Sequence, residues 1–132
     1  MKERIEQKIH RVNQYLQNVR NLAPDCQAKF DSDFVYRGAL LHYLYLMADS
    51  CISLAEMVIR DRALRPPQTY YESFDILAEA SILDQNFAKS FSGIAGFRNF
   101  LAHDYEVVEA KVICNEILKR LDEVEEFINQ IN

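Results

Sequence analysis

Arg98, Asn99, His103, Asp104 and Tyr105 fall within one eight-residue stretch, threaded by Phe100, Leu101 and Ala102. An imidazole titrates close to neutral pH and can move a proton, whereas a guanidinium stays charged and offers a planar fork of donors. On an ideal helix each residue turns by about 100°, so Arg98 and Tyr105, at i and i+7, share a face. Asn99 and His103, at i and i+4, share a neighbouring one. Arg98 and His103 stand about 140° apart, so they converge only if the helix bends or ends near His103, or if a second subunit contributes. The plain alternative is a helix C-terminus, where a histidine suits the dipole and polar side chains cap carbonyls. Gly93 and Gly96, two of the three glycines, precede the stretch and allow a bend or a close backbone approach.

The elements that must position these residues read as helices. With 132 residues, 49% hydrophobic and 27% charged, the chain suits one domain spanning 1–132. Three Gly and three Pro are too few turn-formers for a sandwich or barrel. Ile5, Ile9, Val12, Leu16 and Val19 form one apolar stripe, and Pro24 stops that helix. Residues 33–60 read as a long, largely buried helix through Phe34, Leu40, Leu41, Leu44, Met47, Cys51, Leu54, Ala55 and Val58, with an inward His42, ended before Pro66 and Pro67. Thr69 and Glu72 form a capping-box pattern opening a short helix with Phe74, Leu77 and Ala78. Asp84 is a candidate N-cap for a helix carrying Phe87, Phe91, Ile94 and Phe97. Val107, Ala110, Cys114, Ile117, Leu121, Val124, Ile128 and Ile131 predict a final helix over about 107–131. The expected fold is all-α, a compact bundle of about five helices.

Charge and cysteine content narrow the function. A net charge of -5 argues against a broad polyanion-binding surface but allows a site built from a few placed cations. Residues 1–22 carry a net +3, and the acid lies beyond them. Cys26, Cys51 and Cys114, odd in number and widely spaced, predict neither a disulfide framework nor a zinc site. Cys51 and Cys114 read as small core residues. Without a signal peptide or a long apolar run, a reduced cytoplasm and no membrane are expected. The three histidines have no ligands at metal spacing, and no phosphate-binding loop or nucleophile elbow occurs, so no metal or cofactor is expected.

Arg98-x4-His103 resembles the Arg-x(4–6)-His motif of HEPN domains, and Arg98-Asn99-x-Leu-Ala-His103-Asp104-Tyr105 resembles the Arg-x4-His-x-Tyr form of HepT toxins. Pro67-x-x-Tyr70-x-x-Ser73-Phe74-x-x-Leu77-Ala78-Glu79 is similar to that family's segment before the motif, and Asp49 with Ile52 and Ala55 resembles its acidic second helix. The likeness runs from about residue 35 to the C-terminus. It implies a HEPN-like homodimer, with two motifs paired across a cleft, acting as a metal-independent endoribonuclease. The ribose 2′-hydroxyl would attack, His103 would transfer protons, and Arg98 would hold the scissile phosphate. Asn99 would orient His103 or bind phosphate, and Asp104 would set the histidine tautomer. Tyr105 would accept AMP from a cognate minimal nucleotidyltransferase antitoxin, adding bulk and negative charge where the RNA phosphate must lie; its plain reading is a tyrosine packed on Arg98. Arg60, Arg62 and Arg65 are candidates for RNA or partner contacts, or simply a solvated loop. The alternative is a non-catalytic helical module that binds a nucleotidyltransferase.

Overall fold

In the computed structural model, residues 2–132 are described. Helix α1 (Lys2–Leu22) passes through a 3-10 turn containing Pro24 into the single turn of α2 (Cys26–Lys29). Asp33 then accepts hydrogen bonds from the backbone N–H groups of Val35 and Tyr36 and starts α3 (Phe34–Asp61). A short polar side chain satisfying those otherwise orphaned donors is what sets a helix start. Thr69 does the same for α4 (Tyr70–Glu79), accepting from the Glu72 N–H at 3.1 Å. Asp84 caps α5 (Gln85–Phe91), accepting from Phe87 at 3.0 Å. The chain continues through α6 (Gly93–His103), a 3-10 turn at Tyr105–Val107, α7 (Ala110–Asn115), a second 3-10 turn at Ile117–Arg120 and α8 (Asp122–Ile131). No strand forms among the described residues.

Apart from α2, which lies in none of them, these segments occupy the five helical stretches expected from the apolar periodicity, with two of the stretches interrupted. The Phe87–Phe97 helix breaks at Ser92 into α5 and α6. The expected 107–131 helix is cut by the 3-10 turn, and Val107 lies 65% exposed outside it. The stripe nevertheless does its work, because Cys114, Leu121, Val124, Ile128 and Ile131 are all buried. Phe127, outside that stripe, joins Phe74 and Phe91 in a three-ring cluster with centroids 4.9–5.9 Å apart, tying α8 to α4 and α5. Rings at that separation, edge-to-face or offset, add to their area burial.

Helix α3 is the axis of the bundle. It packs against α1, α4 and α6, and α1 runs antiparallel to it: Tyr36 donates to the Leu22 carbonyl at one end, while Met57 meets Arg4 and Arg11 at the other. The helix is long and apolar enough to cross a membrane by composition, contrary to the expectation that no such run exists, and 56% of its most apolar window is buried inside the bundle. Phe34, expected inside, is 86% exposed, because it precedes the first turn that α1 can cover. His42, expected in the core, is also exposed and packs edge-on with Tyr43.

The cysteine expectation is corrected. Cys26 on α2 and Cys114 on α7 form a disulfide across 88 residues, with Cα atoms 5.7 Å apart, and only Cys51 remains a free, buried thiol. Spacing along the chain could not reveal a pair that meets only because the two short helices α2 and α7 pack on each other. Gln27 donates to Asn115 beside the bridge and strengthens the same seam. A cross-link closing a loop this long contributes roughly 2–4 kcal/mol, mainly by restricting the unfolded chain. Intact mass under non-reducing conditions should be two hydrogens lighter than after reduction. Cys26→Ser should lower the unfolding free energy by about that amount in urea titration, and an unchanged mass would show that the pair stands as two thiols.

Candidate active site

Arg98 sits in the middle of α6 with its side chain only 19% exposed, and four groups hold it. Its Nε donates to Asp49 Oδ1 at 3.0 Å, and its Nη1 donates to Asn99 Oδ1 at 3.2 Å. The guanidinium lies over the rings of Tyr45 and Tyr70, 5.3 and 5.4 Å from their centroids. Asp49 and Tyr45 stand four residues apart on α3, hence on one face, and Tyr70 arrives because Thr69 caps α4 there. Burial works against the Arg98 charge, but the Asp49 hydrogen bond and the two tyrosines outweigh it and raise the guanidinium above its ordinary pKa. The result is a permanent, oriented cation with one edge toward solvent.

His103 is the last residue of α6 and is exposed. The helix ends where convergence with Arg98 would require, as the Asp104 N–H closes onto the Phe100 carbonyl. Even so, no hydrogen bond among the described residues joins His103 to Arg98, Asn99 or Asp104. Asn99 is occupied by Arg98. Within one chain, then, Arg98 faces α3 and His103 faces outward.

The helix end also parts Arg98 from Tyr105. The i, i+7 register fails once the backbone turns at Asp104 (φ -123°, ψ 29°), and Arg98 stacks on Tyr45 and Tyr70 instead. Tyr105 is held by Arg37, a residue the sequence did not single out. Arg37 donates to the carbonyls of Tyr105 and Val108, both at 3.2 Å, and its guanidinium lies 5.4 Å over the Tyr105 ring. The tyrosine hydroxyl rests against Gly38, 3.5 Å from where a β-carbon would stand, and the ring is 41% exposed. Gly38, His42 and Tyr45 of α3 and Leu101 and Ala102 of α6 line, with Tyr105, an open groove of about 480 Å³.

A family model described as "Ribonuclease HepT-like" matches residues 5–131. The chain belongs to the HepT-like ribonuclease family. It is 24% identical over 131 residues to an mRNA nuclease HepT of Shewanella oneidensis, covering 99% of this chain and 98% of that one. It is 22% identical over 128 residues to a tRNA nuclease HepT of Aphanizomenon flos-aquae, covering 97% and 87%. In fold it matches the tri-AMPylated HEPN toxin of S. oneidensis solved in complex with an MNT antitoxin (TM-score 0.85, 24% identity, 96% and 95% covered). It also matches the cytosolic protein YutE of Bacillus subtilis (TM-score 0.82, 17% identity, 98% and 87% covered).

In this HepT-like chain the remaining sequence candidates divide. Arg60 and Arg62 are exposed and form no ion pair among the described residues. Arg65 does not stay free: it binds Glu72 and, at 2.9 Å, Glu79, which pins the Pro66–Pro67 loop to α4 and draws Glu72 away from the capping box. Neither Gly93 nor Gly96 has a positive φ, so no turn demands them. Gly96 instead makes room for Tyr71, whose hydroxyl occupies the space a β-carbon would need there.

Among the described residues, Arg37 is the only side chain that caps both carbonyls of the Tyr105 turn. Arg37→Ala should therefore leave the bundle folded by circular dichroism while amide exchange across residues 105–108 speeds up at least tenfold. Unchanged protection would assign the turn's order to its own backbone.

Proposed function

We propose that this protein is the toxin of a toxin–antitoxin pair, a metal-independent endoribonuclease that acts as a cytoplasmic homodimer without a cofactor, residues 1–132 forming one HEPN-like domain. The reading rests on one observation: α6 carries a locked cation and a free imidazole that point to different sides of the same helix. Two copies related by a two-fold axis would set the Arg98 of each subunit and the His103 of each around a shared cleft. Such a cleft is what a phosphate flanked by an acid and a base requires.

RNA brings its own nucleophile. The ribose 2′-hydroxyl gives its proton to a neutral His103, its oxygen bonds to the adjacent phosphorus, and the 5′-oxygen leaves, protonated by the second His103. Charge gathers on the non-bridging oxygens, and the Arg98 fork, held by Asp49, meets it. Asn99 keeps the fork in plane, and Asp104, next to the imidazole, sets its tautomer on dimerisation. The products carry a 2′,3′-cyclic phosphate, which can open to a 3′-phosphate, and a 5′-hydroxyl. Arg60 and Arg62 are available for RNA or partner contacts, whereas Arg65 is committed to α4. A purified dimer in EDTA should cut RNA, and His103→Ala should reduce cleavage by a factor of about 10² to 10⁴, the range of a positioned acid–base group. Equal cleavage by the variant would remove His103 from the mechanism. No cleavage by either form would favour a non-catalytic module that binds a nucleotidyltransferase, a reading the separation of Arg98 from His103 within one chain keeps open.

Tyr105 is the proposed acceptor of AMP from a minimal nucleotidyltransferase antitoxin. The S. oneidensis HEPN toxin is tri-AMPylated in its antitoxin complex, and Tyr105 here lines an open groove with a half-exposed ring. Its oxygen would attack the α-phosphorus of ATP and expel pyrophosphate, leaving a phosphodiester whose charge opposes an incoming RNA phosphate. Co-expression with the cognate nucleotidyltransferase should add adenylate-sized masses that map to Tyr105 and vanish in Tyr105→Phe. Additions persisting in that variant would move the acceptor elsewhere.

A further inference from the structure

The basic first segment of this acidic chain, residues 1–22, has no part in the site described so far, yet it is spatially organised. Arg4, Lys8 and Arg11 lie at i, i+4 and i+7 of α1, within about 60° of one another around the helix. They line a groove of about 300 Å³ against Met57 of α3. None of the three forms an ion pair among the described residues, although eight other pairs do. Glu3 and Glu6 do not neutralise them, since they sit about 100° and 160° from Arg4 around the helix. A sequence with net charge -5 thus keeps one stripe of uncompensated cations.

The stripe is joined to the motif by rings. One turn beyond Arg11, on the same face, is Tyr15, whose centroid is 6.5 Å from that of Tyr43 on α3. Tyr43 is 5.5 Å from His42, and His42 lines the groove that holds Tyr105. From Tyr15 to Arg4 is eleven residues, about 16 Å of helix, enough for the phosphates of a few extended nucleotides.

We propose that single-stranded RNA runs from the Tyr105 groove over His42, Tyr43 and Tyr15 and then along Arg4, Lys8 and Arg11. The inference rests on the ribonuclease reading and adds a second contact zone to it. Rings followed by a row of cations fit a single strand, because unpaired bases offer faces to stack while the backbone meets the positive stripe. A protein partner would need the charges but would have no use for a graded path of aromatic rings leading to the motif.

The test uses a fluorescein-labelled 12-nucleotide 2′-O-methyl RNA, which lacks the nucleophile and survives binding. Its affinity for the full-length dimer is measured by anisotropy from about 50 to 250 mM salt, for wild type, R4A/K8A/R11A and a control with the same charge loss elsewhere, K89A/K111A/K119A. Each phosphate contact on a single strand contributes about 0.7 to the slope of log affinity against log salt. The R4A/K8A/R11A protein should therefore lose about 2 units of slope and at least tenfold in affinity at the lowest salt, and the control neither. Tyr43→Ala should weaken binding about tenfold, and Tyr43→Phe should restore it, because stacking needs the ring and not the hydroxyl. A wild-type slope in R4A/K8A/R11A, while wild type still cleaves the 2′-hydroxyl form, overturns the track alone. So does loss of antitoxin capture with RNA affinity intact, which would give the stripe to the protein partner. A wild-type dimer that neither binds nor cuts RNA overturns the ribonuclease reading and the track together.

Discussion

Helix α3 has to be covered, and most of the structure follows from covering it. Thirteen of its 28 residues are buried, and they fill an arc of about 200° around the axis. Leaving that surface wet would cost about 25 cal/mol for each Å² of apolar area, so α1, α4 and α6 are drawn onto it. His42, Tyr45 and Asp49 lie together outside that arc, and Arg37 lies within it near the helix start; all four serve the motif region. The helix that nucleates the core is therefore also the platform on which the site is laid.

The two motif residues are treated in opposite ways by the same short helix. Arg98, mid-helix, points back at the platform and is fixed by Asp49 on one side and two tyrosine faces on the other. A guanidinium has flat faces to stack and an edge to bond, so this cradle suits arginine and would not suit lysine. His103, at the helix end, keeps its imidazole free. The cation is fixed in place while the imidazole stays free, the arrangement that the proposed cleft between two copies would use.

The termini close the bundle by covalent and ionic means. The Cys26–Cys114 bridge ties the turn after α1 to the segment after the motif, and Arg20 pairs with Asp122 and Glu125 to bring α1 onto α8. Arg37 holds the intervening Tyr105 turn from beneath. Tyr105 is thus presented on a turn anchored at both flanks, with the backbone held and the hydroxyl-bearing ring half in solvent.

Much of this was legible in the order of residues. Apolar spacing located all five helical stretches, and Asp84 and Thr69 acted as caps because capping depends on atoms three residues away. The motif could be read from eight neighbouring residues, and the family from that motif together with the segment 67–79 and the all-helical pattern. What the order could not supply was anything requiring distant segments to meet: the 88-residue disulfide, Arg37 beneath Tyr105, the surrender of Arg65 to Glu72 and Glu79, and the two breaks that turned long apolar stripes into kinked pairs. Local rules decide where a helix starts and which face is oily, because those energies act over one or two turns. Which cations stay free, which histidine faces out and which thiols touch depend on how α3 is covered, and only the packed bundle decides that.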